Sequence, residues 1–325
     1  MKILLCSNRA AQAVKLLESQ LLDHQIISCS PKAITQYLEG IDIVIPWHPT
    51  SIIDASIIQS GKFGLVQQFG VGLETVDIEA ATSAGVWVAR VPGGISGNAN
   101  SVAEHGVMLM LMVSRRLGLG QQALNDKNWS EQIGTALFGK TACIIGLGDI
   151  GTALAVRLKT FGVSLIAVRQ HPERGAPPET EIRKVYGSNA LSEALSIADY
   201  VILCASYSKS THHIINQNTL AAMKPGAFLI NVARGGLVDT YALEAALGKG
   251  KLAGAGLDVV DSPNDSLYLH NIIITPHVAA ISDISYQGIA SVVVKNIKRY
   301  TRGEQPLYTV NKPNHPRNFV ECCMG

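Results

Sequence analysis

The length and composition exclude several classes of protein. The chain has 325 residues, of which 47% are hydrophobic and 16% charged, and its formal net charge is +2. This length favours two domains over one, and a nearly neutral charge gives no reason to expect nucleic acid or an acidic membrane surface as a partner. No apolar run approaches the ~18 residues that a membrane span needs, so we expect no membrane partner.

The N-terminus and the cysteines bear on where the protein is located. Residues 1–6 are apolar over too short a stretch for a secretory signal, and they predict a buried first strand instead. The six cysteines include no C-x-x-C pair and no histidine partner at zinc spacing, which favours a reduced, cytoplasmic protein without a metal site. For Cys322 and Cys323 we expect inert exposed thiols, and a metal or redox role is the alternative.

Short apolar runs rich in β-formers alternate with longer amphipathic segments along the whole chain. This alternation predicts parallel sheets covered by helices on both faces, and the length accommodates two of them. The predicted fold class is therefore α/β, with two doubly wound parallel sheets. The predicted strands are residues 2–6, 41–46, 65–69, 86–90, 141–145, 164–168, 200–204, 227–232 and 272–275.

Two segments predict long helices. Residues 98–116 are apolar on most sides, which indicates a helix that is largely buried. Residues 282–302 end with three cations in the last turn, where positive charge complements the helix dipole, and Gly303 follows as a stop signal.

A glycine-rich turn follows the strand predicted at residues 141–145. It has the pattern G-x-G-x-x-G and is followed by an apolar helical segment and a second strand, which predicts a dinucleotide site rather than a turn that only packs. Gly146 allows the tight turn, Gly148 lets backbone N–H groups approach a pyrophosphate, and Gly151 lets the helix pack on the strand. The predicted coenzyme-binding residues of the turn are Gly146, Gly148, Asp149, Ile150 and Gly151.

The end of the second strand indicates which dinucleotide is bound. An NAD site usually carries Asp or Glu about 20 residues after the turn, where it holds the ribose hydroxyls. Here the position is Arg169, with Arg174 nearby, and a guanidinium pairs with the 2′-phosphate that a carboxylate would repel. We predict NADP as the preferred coenzyme and NAD as the second choice; the alternative is a solvated basic loop with no preference.

Five further segments occur in a fixed order. They read QFGVGLETVD, AEH, NVARGGLVD, GAGLDV and TPHVA, at residues 68–77, 103–105, 231–239, 254–259 and 275–279. In this order and spacing they resemble the D-isomer-specific 2-hydroxyacid dehydrogenase family over essentially the whole chain. The resemblance implies two Rossmann-like domains with a cleft between them and a homodimer formed through the coenzyme domain. The implied substrate-binding domain, which is flavodoxin-like, holds residues 1–97 and 287–325, and the coenzyme-binding domain holds residues 98–286.

The chemistry of a 2-keto acid can be matched to residues of these segments. The substrate carboxylate needs a fixed cation, which Arg234 supplies, and the backbone N–H groups of Val71 and Gly72 hold its other end. Reduction of the carbonyl leaves an alkoxide, which needs a proton donor near neutral pH, and His277 is suited to that role. By resemblance, Asp258 hydrogen-bonds the nicotinamide carboxamide. Further coenzyme-binding residues are Cys204, Val232, Ala233 and Ala279; candidates to line the substrate pocket are Pro46, Trp47, His48, Asn100 and Tyr286.

The chain departs from the family's pattern at two places. The family places a Glu five residues after the aspartate equivalent to Asp258, where it raises the pKa of the catalytic histidine, but this chain has Pro263 there. Asp261 is the best substitute and Asp265 the second. The other departure is at residues 205–208, where the family has a proline-containing turn that lines the adenine and ribose side, so coenzyme affinity is put in doubt.

These features predict an NAD(P)H-dependent reductase of a small 2-keto acid, acting on glyoxylate, hydroxypyruvate or a similar compound and yielding the D-2-hydroxy acid. The Arg169 loop resembles that of NADP-using glyoxylate/hydroxypyruvate reductases. We expect no additional regulatory domain of the kind found in the longer phosphoglycerate dehydrogenases. The alternative is a dinucleotide-binding regulatory protein of the same fold with weakened catalysis, for which the missing Glu is the motive.

Overall fold

A computed structural model of the chain describes residues 1–7, 10–47, 50–127, 133–261 and 271–317. The chain divides into two compact units, of which the first is Met1–Asn98 with Ser282–Gly325 and the second is Ala99–Ile281. The predicted domain boundaries lie one residue and five residues from these. The second boundary lies earlier than predicted because the whole of the last long helix belongs to the first unit.

The described residues form twelve strands and ten α-helices. The strands are β1 (Lys2–Cys6), β2 (Gln25–Ser28), β3 (Ile43–Pro46), β4 (Leu65–Gln67), β5 (Trp87–Ala89), β6 (Thr141–Ile145), β7 (Ser164–Val168), β8 (Lys184–Tyr186), β9 (Tyr200–Leu203), β10 (Ala227–Asn231), β11 (Leu252–Leu257) and β12 (Ile272–Ile274). The helices are α1 (Ala11–Glu18), α2 (Ala55–Ser60), α3 (Ile78–Ser83), α4 (Asn98–Ser114), α5 (Leu117–Asn125), α6 (Asp149–Thr160), α7 (Leu191–Ile197), α8 (Gln217–Ala222), α9 (Thr240–Gly248) and α10 (Asp283–Thr301).

The sheet of the first unit has five parallel strands in the order β2-β1-β3-β4-β5. Successive side chains of a strand point to opposite faces, so Ile3 enters the core on one face and Leu4 the core on the other. The core around Ile3 also receives Ile289 and Val293 from α10, and this packing assigns α10 to the first unit. The strand order is that of flavodoxin-like sheets.

The sheet of the second unit has seven parallel strands in the order β12-β11-β10-β9-β6-β7-β8. The chain enters at β6, winds outward through β7 and β8, and then returns to β9 on the other side of β6. In open α/β sheets, ligands bind beyond the carboxyl ends of the strands where the winding direction reverses. The two sheets confirm the predicted fold class.

Nine of the twelve strands coincide with predicted strands to within two residues at either end. The predicted strands do not include β2 and β8, which are edge strands with partly exposed residues, or β11, which is rich in glycine. The glycines of β11 have a packing reason. A Cβ on Gly254 would lie 2.6 Å from Val113 Cγ2, and one on Gly256 would lie 2.9 Å from Leu109 Cβ, so β11 lets α4 approach the sheet closely.

The two long helices lie where they were predicted. α10 begins after Ser282, whose hydroxyl caps the helix by accepting from the Ser285 N–H, and it ends just before Gly303, which has a φ of +73°. α4 is largely buried, as predicted, but it exposes 38% of Met108 and 36% of Leu111. In the described part of the chain, no helix is long and apolar enough to cross a membrane.

Candidate active site

The glycine-rich turn lies between β6 and α6, beside the end of β9. Gly146 has a φ of +98°, and a Cβ there would lie 2.5 Å from the backbone nitrogen of Ala205, so a side chain is excluded by both conformation and space. A Cβ on Gly151 would collide with the Gly146 carbonyl oxygen. These two glycines therefore allow the close packing of strand, turn and helix.

Gly148 differs from its two neighbours because a Cβ there would meet no atom within 4 Å. It is the N-cap of α6, a helix of 12 residues, and it has no side chain with which to cap the helix. Open space in front of the N-terminal N–H groups of a helix is what a pyrophosphate requires. The turn therefore fits the dinucleotide that the sequence predicts.

Arg169 follows β7 and is partly buried. Its backbone N–H donates to the Tyr186 carbonyl, and its guanidinium donates from Nη1 to the Gly175 carbonyl at 2.9 Å. Since a guanidinium carries five N–H donors, this contact orients the side chain and leaves donors for an anion. Arg174 is exposed in the 3₁₀ turn that follows.

The turn that carries Arg234 follows β10 and is held by a buried asparagine. Asn231 accepts from the Ala233 N–H at 3.0 Å and donates to the Arg234 carbonyl at 2.9 Å. Arg234 is partly buried and donates from Nη1 to the Ala233 carbonyl at 2.8 Å, while Val232 and Ala233 are themselves buried. The turn thus fixes a cation at the carboxyl end of β10.

Asp258 follows β11 and is only 2% exposed. Its carboxylate accepts hydrogen bonds from the Thr275 hydroxyl at 2.6 Å and from the N–H groups of Val278 and Ala279 at 2.9 and 3.0 Å. A buried carboxylate needs such donors because it has lost its water. The result is a rigid link from the end of β11 to the segment that carries His277.

His277 follows β12 in a left-handed conformation, with a φ of +56°. Such a backbone is uncommon for residues other than glycine and persists where neighbouring contacts over-determine it. Here the His277 N–H donates to the carbonyl groups of Asp258 and Thr275 at 2.9 and 3.0 Å. Because β10, β11 and β12 are neighbours, the residues Arg234, Asp258 and His277 all lie at the same edge of one sheet.

The pair that the sequence predicts between Asp261 and His277 stays a prediction, since the described contacts of the Asp261 carboxylate are with a different turn. Asp261 is exposed, and its carboxylate lies against the backbone of Gly235 and Gly236, where glycine is needed to make room for it. The carboxylate therefore adjoins the turn that carries Arg234. The second candidate, Asp265, lies outside the described residues.

The segment that replaces the family's proline-containing turn lies against the Arg234 turn. The ring of Tyr207 is so close to Gly236 that a Cβ there would be 2.6 Å from Tyr207 Cε2. This departure therefore adjoins the turn that carries Arg234. The sequence had predicted an effect on the adenine and ribose side alone. Cys204, which precedes this segment, is partly buried, and the burial of its thiol raises the pKa of that group to about 12.

The predicted substrate-binding residues of the first unit lie at the carboxyl edge of its own sheet. Trp47 follows β3 and stacks on Phe69 with ring centroids 4.9 Å apart, and Tyr286 of α10 meets both rings. Val71 and Gly72 are partly buried and follow Gly70, whose φ is +136°.

The remaining candidates have varied surroundings. Pro46 is buried at the end of β3, and Asn100 is exposed on α4, where it accepts from Arg157 at 3.1 Å. His48, Cys322 and Cys323 lie outside the described residues.

Two further residues, His105 and Thr275, complete the polar group around Asp258, and no role was predicted for either of them. His105 of α4 lies 2.8 Å from the Thr275 hydroxyl and 3.4 Å from Asp258 Oδ1. Both belong to segments that were singled out for their resemblance, His105 to AEH and Thr275 to TPHVA. What the sequence could not provide is their contact, which joins positions 170 residues apart.

Comparison with known proteins agrees with this geometry. The D-isomer specific 2-hydroxyacid dehydrogenase NAD binding domain matches residues 107–279. A glyoxylate reductase of Pyrococcus furiosus is 34% identical over 274 residues, which are 80% of each chain. A D-3-phosphoglycerate dehydrogenase of Methanocaldococcus jannaschii is 31% identical over 97% of this chain and 60% of its own.

Solved structures share the fold over almost the whole chain. A protein of Thermus thermophilus has a TM-score of 0.83 and 31% identity, covering 95% of this chain and 100% of that one. An NADPH-dependent glyoxylate/hydroxypyruvate reductase of Sinorhizobium meliloti has a TM-score of 0.82 and 26% identity, covering 98% of each chain. With a family match over more than half of its length, the chain belongs to the D-isomer-specific 2-hydroxyacid dehydrogenases, which are oxidoreductases.

Proposed function

We propose that the protein is a cytoplasmic, NADPH-dependent reductase that converts a small 2-keto acid such as glyoxylate or hydroxypyruvate to the D-2-hydroxy acid. The observation that carries the proposal is the alignment of Arg234, Asp258 and His277 at the ends of three neighbouring strands. These residues lie on the same sheet edge as the glycine-rich turn. The glyoxylate reductases among the relatives support the choice of substrate class.

The substrate is held through its carboxylate. Arg234 offers a planar cation whose paired N–H groups suit a carboxylate, and it lies in a turn that Asn231 makes rigid. The N–H groups of Val71 and Gly72 are assigned the other side of the carboxylate on the basis of the family resemblance. This binding leaves the keto group of the substrate to be activated by Arg234 and His277.

His277 supplies the proton. A bound coenzyme would supply a hydride for the carbonyl carbon, and the protonated ring of His277 would give its proton to the oxygen on which negative charge develops. Arg234 stabilises the same charge before the proton arrives. The left-handed backbone at His277 holds the ring at the end of β12, because Asp258 and Thr275 both accept from its N–H.

The coenzyme is held along the edge of the second sheet. Gly148 and the first turn of α6 receive the pyrophosphate, with Asp149 and Ile150 beside it, and Asp258 receives the carboxamide of the nicotinamide. Arg169 binds the 2′-phosphate, which makes NADP the preferred coenzyme over NAD. The remaining contacts are assigned to Gly146, Gly151, Cys204, Val232, Ala233 and Ala279.

We also infer a homodimer formed through the second unit. α4 exposes Met108 and Leu111, and α5 exposes 41% of Leu117 and 53% of Leu124. Exposed apolar side chains on two consecutive helices are costly in water, and a second copy of the chain would cover them. Sedimentation equilibrium is expected to give twice the mass of the chain, and a monomer at micromolar concentration would contradict the inference.

The second candidate function is a dinucleotide-binding regulatory protein with weakened catalysis. The feature that favours it is Pro263, which stands where the family places the Glu that pairs with the catalytic histidine. Retention of both Arg234 and His277 favours the enzyme.

The experiment that separates the two functions is NADPH oxidation with a panel of glyoxylate, hydroxypyruvate and 2-ketobutyrate, run beside NADH. We expect turnover of the two smaller acids and a preference for NADPH. Micromolar binding of NADPH without turnover of any acid would support the regulatory protein. Turnover at equal efficiency with NADH would remove the role assigned to Arg169 and leave the reductase intact.

A further inference from the structure

A connected group of three polar side chains lies under the turn that carries His277. His105 Nε2 is 2.8 Å from Thr275 Oγ1, and the Thr275 hydroxyl donates to Asp258 Oδ1 at 2.6 Å. The side chain of His105 is 13% exposed and that of Asp258 is 1% exposed. His105 belongs to α4, so the group ties this helix to the ends of β11 and β12.

The protons in this group can be assigned. A hydroxyl has one proton, and the Thr275 hydroxyl gives it to the Asp258 carboxylate, which can only accept. Thr275 Oγ1 therefore accepts from His105, which must carry its proton on Nε2. Burial lowers the pKa of His105 and the Asp258 charge opposes this only in part, so the neutral ring with one N–H is the form present at neutral pH.

The same carboxylate determines two features of the site. Its oxygens also accept from the N–H groups of Val278 and Ala279, and the Asp258 carbonyl accepts from the His277 N–H. A rotation of the Asp258 carboxylate would therefore have two effects. It would disturb the turn that carries His277, and it would turn the carboxylate oxygens away from the coenzyme. Each donor to Asp258 restricts that rotation, and the His105–Thr275 chain begins outside the turn, on α4.

We propose that His105 is a positioning residue, which acts through Thr275 to hold the Asp258 carboxylate in the orientation that receives the amide of the nicotinamide. This inference rests on the proposed function, because it requires that Asp258 faces the coenzyme. The competing explanation is that His105 only fills space between α4 and the sheet. The two explanations differ in whether an N–H donor is needed or only the volume of a ring.

Two substitutions separate donor from volume. His105→Phe keeps the ring and removes the donor, whereas His105→Gln keeps an N–H donor at the reach of Nε2. The control is Glu104→Gln on the same helix, because Glu104 is exposed and pairs with Arg157 at 2.9 Å instead of contacting Asp258. Thr275→Val interrupts the chain at its middle.

The measurement is the dissociation constant of NADPH and of its 3-acetylpyridine analogue, in which a methyl group replaces the amide NH₂. We expect the wild type to bind NADPH about tenfold more tightly than the analogue, as for one hydrogen bond to a charged group. The ratio is expected to fall at least threefold in His105→Phe and in Thr275→Val, to fall no further in the double variant, and to recover in His105→Gln. It should not change in Glu104→Gln.

The ratio is taken within one variant, so a partial loss of folded protein does not alter it. A wild-type ratio in His105→Phe, with only a lower melting temperature, would overturn the inference in favour of space filling. Equal binding of both dinucleotides by the wild type would overturn it as well. The proposed reduction is judged separately by keto-acid turnover of the wild type, which neither binding result requires.

Discussion

The two units use the same kind of sheet for different purposes. Both sheets are parallel and doubly wound, and both place their candidate site residues just after strands, at the carboxyl edge. On the first sheet these are a stacked pair of aromatic rings and a glycine-containing turn, as Trp47, Phe69 and Gly70 illustrate. On the second they are charged groups held by hydrogen bonds, as Arg234 and Asp258 illustrate.

This difference shows that the fold provides a sheet edge at which a ligand can bind. The residues that follow each strand determine which ligand and which reaction that edge suits. The aromatic edge suits recognition of the small acid by shape and by backbone N–H groups. The charged edge suits a dinucleotide, a proton donor and, at Arg234, the carboxylate of the acid. Substitutions at the two edges should therefore change different kinetic constants, and the following predictions test that separation.

The largest effect is expected at the proton donor. His277→Asn should lower kcat by about 10²–10⁴, the usual contribution of a general acid. Asn is chosen because it tolerates the left-handed backbone seen at this position, with a φ of +56°. The dissociation constant of NADPH should stay within threefold of the wild type. A variant that retains more than a tenth of the wild-type kcat would exclude His277 as the proton donor.

The coenzyme preference should depend on Arg169. Arg169→Asp removes the guanidinium and adds a charge that repels the 2′-phosphate, so kcat/KM for NADPH relative to NADH should fall by about 10- to 100-fold, as for a charge-assisted hydrogen bond. Arg174→Ala is the matched control, because Arg174 is exposed in the same loop. If Arg174→Ala changes the ratio of kcat/KM for NADPH to that for NADH as much as Arg169→Asp does, the coenzyme preference comes from the total positive charge of the loop and not from Arg169 itself.

The glycine turn offers a test in which stability and binding separate. Gly148→Ala meets no atom within 4 Å, so the fold should keep its melting temperature, but the methyl group would occupy the space of the pyrophosphate and weaken NADPH binding by roughly tenfold. Gly151→Ala should instead lower the melting temperature, since its Cβ collides with the Gly146 carbonyl. Thermal melts with and without NADPH distinguish the two. Equal melting temperatures for both variants would contradict the packing role of Gly151.

At the aromatic edge, Trp47→Ala should raise the KM for the keto acid about three- to tenfold. The reason is that the substrate loses one or two apolar contacts with the indole ring. The dissociation constant of NADPH should not change, because Trp47 belongs to the first unit. Trp47→Phe keeps a ring against Phe69, so its KM for the keto acid is expected to lie closer to that of the wild type than to that of Trp47→Ala. A change in NADPH binding instead of in KM would break the separation between the two edges.

The sequence predicted the fold better than the details of the site, and the reasons are physical. Buried central strands are continuous apolar runs, so their positions could be predicted directly. β11 lacks such a run because Gly254 and Gly256 make room for α4. Arg234 and His277 could be predicted as site residues because they lie in segments with a strong resemblance. Asp261 as the partner of His277 stays a prediction, because spacing along the chain does not determine which way a loop carboxylate turns, and this carboxylate lies against Gly235.

The smallest effect is expected at a carboxylate that has no part in the chemistry. Asp199 accepts from the Thr141 N–H at 2.8 Å and from Lys224 at 2.6 Å. Burial tends to raise the pKa of Asp199, but these donors outweigh it, so the pKa lies below its usual value. A depressed pKa means that the charged form stabilises the fold above about pH 4, the unfolded value, and that this stability is lost as the pH falls through the folded pKa.

Asp199→Asn should therefore lower the free energy of unfolding by about 1 kcal/mol or less, because half of the Lys224 side chain is exposed. The melting temperature should fall slightly, and by the same amount at pH 7 and at pH 5. Below about pH 4 the difference from the wild type should shrink, because the wild-type carboxyl is then protonated too. Keto-acid turnover at pH 7 should not change, since Asp199 precedes β9 at the opposite end of the strand from the charged edge. A difference in melting temperature that grows on acidification would mean that the Asp199 charge destabilises the fold.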